Sequence, residues 1–206
     1  SYEHRILYYG PKSFEETEKS IAELHPIPSE LNPIQEVEDF KELDINKTSV
    51  YVIDYDMKQA EILMVAKGQG FSAEKMPLIK LHNEYFGGSM GSIVFQTLRE
   101  SKALAYSVYS TYSTPRENDK SHYVTAYIGT QADKLVEAMV GMNELLTNIP
   151  EVEANLENAK EAVIQKIRTE RITKDRVLFN YESAKRLGYN YDLSLIHISE
   201  PTRPID

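Results

Sequence analysis

Five histidines, at positions 4, 25, 82, 122 and 197, are the residues of this chain best suited to metal chemistry. Zinc-assisted hydrolysis on a helix needs two of them about one turn apart, with a glutamate to activate water, as in an HxxEH run. No histidine here has a second one at that spacing. His82 has Glu84 two residues on, which places the pair on different sides of a helix, and a surface histidine is expected. His197 and Glu200 form an HxxE, but Pro201 stands where the second histidine would be. No metal ligands and no catalytic residues are therefore assigned within the chain. With no cysteine present, disulfides, thiol catalysis and cysteine metal sites are excluded. Gly87-Gly88 would suit a phosphate loop, yet neither common phosphate-binding glycine motif follows. Glycine's freedom at positive φ suits the end of a helix there instead.

Arg99 and Tyr106 are the other residues with chemistry to offer. Each has an ordinary structural reading. An arginine late in a helix is a solvated cation favoured by the helix dipole. A tyrosine opening a strand is half-buried packing. Spacing alone does not lift either above that reading.

The elements that must carry these residues follow from periodicity. His4 to Tyr9 is strand-like. Gly10-Pro11 turns the chain, and Ser13 with Glu16 forms a capping box for a helix that stops before Pro26. This is too little to fold alone. Residues 26–47 hold three prolines and many acids without a clean period, as a linker does. Two strands are expected at 50–55 and 60–68, joined around Met57-Lys58. Helices are expected at about 74–85 and 90–101, and strands at about 105–113 and 122–129 with a polar hairpin at Pro115–Lys120. In the last strand Tyr123, Thr125 and Tyr127 alternate with Val124, Ala126 and Ile128, and the aliphatic set is expected to face the helices. Thr130 with Asp133 resembles a cap for the next helix, striped by Leu135, Met139, Met142 and Leu146. A second stripe runs Val152, Leu156, Ala159, Val163 and Ile167. A third helix runs from near Thr173 to Leu187, with Gly188 at C′.

The chain has 206 residues, enough for one domain and a piece of another. Its net charge of −9 is spread along the chain and speaks against nucleic acid or an anionic membrane as a partner. No apolar run approaches the roughly 18 residues of a membrane helix. SYEHRILYYG is neither a signal peptide nor a start methionine, so the chain is expected to begin inside a longer protein.

The segment from Leu81 to Tyr106, LHNEYFGGSMGSIVFQTLRESKALAY, resembles a signature of the second domain in each half of the pitrilysin/insulinase family of zinc metallopeptidases, the inverzincins. The likeness covers about residues 1–192 and is strongest over 81–110. It implies an α+β fold, a two-layer antiparallel-rich sheet backed by helices on one face, truncated before its last strand. Residues 1–30 would be the C-terminal tail of a preceding peptidase-like domain, 31–47 a linker, and 48–192 the second domain. Leu193 to Arg203 resembles a read-through sequencing-library adapter, so residues 193–206 are expected to be a non-native tail without function.

The resemblance also implies a function. The chain would be a non-catalytic substrate-chamber domain of a zinc metalloendopeptidase acting on peptides, inactive alone. Its zinc would sit in a missing catalytic domain. The partners would be a peptide substrate and the catalytic half, in the same protein or a partner subunit. Arg99 and Tyr106 match an arginine and a tyrosine that project into the family's central chamber, where they would bind substrate. A guanidinium and a phenol can both donate to the oxygen of a tetrahedral intermediate. Gln59 matches a position where the family often has glutamine, and no role is assigned to it. Two other readings stay open: a structural scaffold subunit of the same fold without peptidase activity, and a binding module using the tyrosine-rich sheet. The compartment is not legible.

Overall fold

Residues 107–131 alternate β-branched, aromatic and small side chains, and in the computed structural model they form a hairpin that supplies the central strand and one edge strand of a small sheet. The structure describes residues 2–36, 38, 40–170 and 173–188. The expected tail at 193–206 lies outside the described residues. The chain divides into two units, one containing the chain up to Lys41 and the stretch ending at Lys185, the other containing Glu42–Glu170 and a short return from Arg186.

The second unit carries the sheet. Its strands are β1 (Gln59–Gly70), β2 (Ser107–Ser113) and β3 (Ser121–Gln131), in the order β1-β3-β2 and antiparallel throughout. Leu63, Tyr127 and Tyr109 lie side by side across it, as do Met64, Ala126 and Ser110. The aliphatic set of β3 does face the helices: Ala126 and Ile128 are buried in a core with Phe86, Val94, Leu98, Ala138 and Met142. Leu63 and Val65 of β1 lie exposed on the other face, where the Tyr109 and Tyr127 rings stack with centroids 5.3 Å apart. Burial raises the Tyr127 phenol pKa, and nearby Glu61 adds to the effect.

Four helical stretches back the sheet. α2 (Met76–His82) continues as a π-helical turn, Asn83–Gly87. A second π-helical segment, Phe95–Ser101, follows a short α-helical start. The pattern predicts plain α-helices here, so the widened turns are a correction. α3 (Leu135–Thr147) buries Ala138, Gly141, Met142 and Leu145, leaving Met139 exposed. Its buried stripe is thus rotated from the expected one. α4 (Glu153–Thr169) packs against α2 and the first π turn. The Tyr85 hydroxyl ties that arrangement together, donating to Pro150 O at 2.5 Å and accepting from Val152 N at 2.9 Å.

At Tyr112 the free edge of β2 is capped by a side chain. Asn83 Oδ1 accepts from Tyr112 N at 2.8 Å, and its Nδ2 donates to Tyr112 O at 3.1 Å. An amide that mimics a strand in this way blocks further pairing at that residue.

In the first unit, α1 (Phe14–Leu24) has the expected capping box, with Glu16 N donating to Ser13 Oγ and Ser13 N donating to Glu16 Oε2. α5 (Lys174–Arg186) runs on from this unit and ends at Arg186, and Gly188, two residues on, has the positive φ of +72° that a C′ glycine supplies. Two expected strands do not form. The run 4–9 has no ladder, and a single parallel bridge joins Tyr2 to Asn32. The run 50–55 is irregular, with Tyr51, Val52 and Ile53 each more than 85% exposed. Strand propensity is realised only where a partner ladder exists, and β1 pairs with β3 instead of with 50–55. Thr130 is no cap either: it is buried, and its Oγ1 donates to Leu104 O at 2.6 Å.

Candidate functional site

Leu98 and Leu104 are both buried, and the chain between them passes from the second π-helical segment toward β2. These two leucines fix the ends of the crossover by packing. Hydrogen bonds fix the middle. Lys102 N donates to Thr97 O at 3.0 Å, Leu104 N to Leu98 O at 2.8 Å, and Tyr106 N to Gly129 O at 2.8 Å. Thr130 holds Leu104 O from below, and Lys134 Nζ donates to Ala103 O at 3.2 Å.

Ala103 takes φ = +50°, the left-handed region, at the tip of this turn. An L-residue with a Cβ is disfavoured there by about 1 kcal/mol. Ala103→Gly is therefore expected to stabilise the unit by about 0.5–1 kcal/mol, offset in part by glycine's freedom in the unfolded chain. Urea unfolding measures this, and a lower midpoint for the variant would refute the strained turn.

A cleft of about 270 Å³ opens beside the turn, lined among others by Arg99, Glu100, Tyr106, Gln131 and Lys134. The two residues singled out from the sequence thus line the same cavity. Neither is lost in packing: Tyr106 is 52% exposed and the Arg99 side chain 46%. Arg99 lies over the Phe95 ring, its Cζ 4.8 Å from the centroid, and its Nε is 3.8 Å from a Glu100 carboxylate oxygen. The ring restricts the guanidinium without consuming its donors. The Tyr106 hydroxyl accepts from Gln131 Nε2 at 2.5 Å. That leaves the phenolic proton free to be given to a ligand oxygen. Sequence reading missed Gln131 and Lys134. They lie 25 and 28 positions beyond Tyr106, and only the β2–β3 register brings the end of β3 beside it. Gln59 faces Gln131 across the β1–β3 ladder.

Two histidines lie in this unit, and one of them, His82, is not where the sequence placed it. His82 is half-buried rather than on the surface, stacked on Phe86 with centroids 5.3 Å apart, and burial lowers its pKa. His122 is buried, its Nδ1 2.8 Å from Ser113 O. Among the described residues, no group of three His, Cys, Asp or Glu side chains could hold a metal. The residues present do not fit a hydrolytic zinc centre. No helix among the described residues is long and apolar enough to cross a membrane.

Gly87 has a different task from the one expected. The only glycine with positive φ among the described residues is Gly188, and Gly87 instead allows close approach. A Cβ on it would lie 2.3 Å from Ser110 O and 2.6 Å from Ser110 N, in the β2 backbone.

With this geometry in place, four similarities bear on it. The family model of the peptidase M16 inactive domain matches residues 12–163. An uncharacterized zinc protease of Bacillus subtilis, YmxG, is 35% identical over 109 residues, which is 52% of this chain and 26% of that protein. The chain thus spans about a quarter of that relative's length. Among solved structures, the peptidase M16 inactive domain from Pseudomonas fluorescens superposes with a TM-score of 0.52 at 19% identity, over 70% of this chain and 34% of that one. A protease from Helicobacter pylori gives 0.53 at 13% identity, over 69% and 38%. These two carry the fold alone.

Proposed function

Because the chain belongs to the peptidase M16 family, as the inactive domain of that family and in accord with the resemblance of Leu81–Tyr106, we propose that it walls a substrate chamber. In this reading a zinc-bearing half, in the same protein or a partner subunit, supplies the metal-activated water. This domain holds the peptide. Arg99 donates to a substrate carbonyl, and Tyr106 donates its phenolic proton to the oxygen on which charge develops.

The observation that carries this is the shared cleft, in which an exposed guanidinium and an exposed phenol stand on a turn held by packing and hydrogen bonds. Preorganised donors of this kind need no rearrangement at the moment of reaction. The nearby Gln131 amide suits the same role by fixing the phenol's direction.

Peptide binding tests it. In the enzyme assembled with its catalytic half, Arg99→Ala is expected to weaken binding of a peptide substrate by about tenfold, the value of one charged donor at a half-exposed site. The fold should be little affected, because the Arg99 side chain is half-exposed and stacks on the Phe95 ring. Unchanged peptide affinity would remove Arg99 from the binding surface.

A further inference from the structure

We propose that His4 and His25 form a two-ligand site for a late first-row transition-metal ion, separate from any hydrolytic centre. No motif announces it, since the two stand 21 positions apart. The fold brings their Nε2 atoms to 2.8 Å, with the ring planes at 82° and the centroids 4.8 Å apart.

The hydrogen bonding selects the nitrogen that a metal would use. His4 Nδ1 lies 3.1 Å from Tyr2 O. A carbonyl can only accept, so Nδ1 carries the proton and His4 Nε2 presents a lone pair. A ring N–H held by a backbone carbonyl is also the usual support behind a ligating histidine. Without metal, His25 Nε2–H donates to that lone pair. With metal, the His25 proton moves to its exposed Nδ1, and both Nε2 lone pairs turn to one ion. No net proton is released in that exchange.

The separation is near what an ion needs. Two nitrogens about 2.05 Å from a tetrahedral zinc stand about 3.3 Å apart. The rings would part by about half an ångström, which exposed side chains do at little cost. Both histidines are exposed, so water completes the coordination and no charge is buried.

The backbone on each side is anchored. His25 caps the C-terminus of α1, its N–H donating to Ile21 O at 2.7 Å, while the Tyr2–Asn32 bridge lies beside His4. An ion at this place clips a run of about twenty residues that contains α1, a helix with no buried residue. Anything that binds only the folded form stabilises it. Imidazole selects zinc, copper and nickel over calcium and magnesium, which prefer oxygen.

The experiment titrates Zn²⁺ and Ca²⁺ into the chelator-treated full chain by calorimetry and follows the histidine ring signals by NMR. Zn²⁺ should shift the His4 and His25 signals and raise the melting temperature, and Ca²⁺ should do neither. His4→Ala and His25→Ala should each weaken zinc binding at least tenfold. Because both side chains are exposed, the variants keep the wild-type circular dichroism. Equal zinc affinity in the wild type and both variants, or zinc shifts confined to other histidines, overturns the proposal.

Discussion

Gly87→Ala is expected to destabilise the sheet-bearing unit by about 3 kcal/mol, the upper range for forcing a group into a packed interior. The new Cβ would meet the β2 backbone at Ser110 O, 2.3 Å away, and Ser110 N, 2.6 Å away. No rotamer change relieves this, because the obstacle is main chain. Either β2 or the π turn must move. Phe86, beside it, is only 2% exposed and packs in the core, so the turn cannot retreat without opening a void. The Asn83 amide, four residues earlier, would lose its paired hydrogen bonds to Tyr112 as the turn shifts. Gly70, with nothing within 4 Å of its virtual Cβ, is the control and should tolerate alanine. Denaturant unfolding of both variants measures the difference. Equal midpoints would mean that the helix does not approach the strand this closely.

Tyr106→Phe is expected to lower kcat of the assembled peptidase by about 100-fold with little change in KM. A hydroxyl that donates mainly to the developing oxyanion contributes in the transition state and little in the ground state, so its removal appears in kcat. Loss of one such donor typically costs about 3 kcal/mol. Phenylalanine keeps the ring and its packing. The phenol is half-exposed, so water can take the place of the oxygen that Gln131 loses, and stability should stay within about 0.5 kcal/mol of wild type. Steady-state kinetics with zinc content checked in both proteins decides it. Wild-type turnover would leave Tyr106 a packing residue and remove the phenol from the mechanism.

Much of the frame was legible because it is local. The Ser13–Glu16 capping box, the C′ glycine at 188 and the facing of Ala126 and Ile128 each depend on a few neighbouring residues. Helix caps and the period-two alternation of strands are short-range physics. Features that depend on a distant partner are different. The runs 4–9 and 50–55 have strand composition, but no ladder forms on them. His82 has a polar side chain in a helix, but Phe86 and Tyr112 enclose it. Its ring registered as a surface group because burial is not a property of spacing.

By itself, the sequence determined the α+β class, the Ser13 and Gly188 caps, the inward face of β3 and the family, through the run from Leu81 to Tyr106. These follow from periodicity and from residue types close together in the chain. Tertiary structure alone decided that Gly87 serves close approach rather than a positive φ, that Gln131 and Lys134 share the cleft with Arg99 and Tyr106, and that His4 meets His25. The reason is the same in each case. Contacts between residues twenty or more positions apart are set by strand register and by which faces pack, and neither leaves a mark on the local order of side chains.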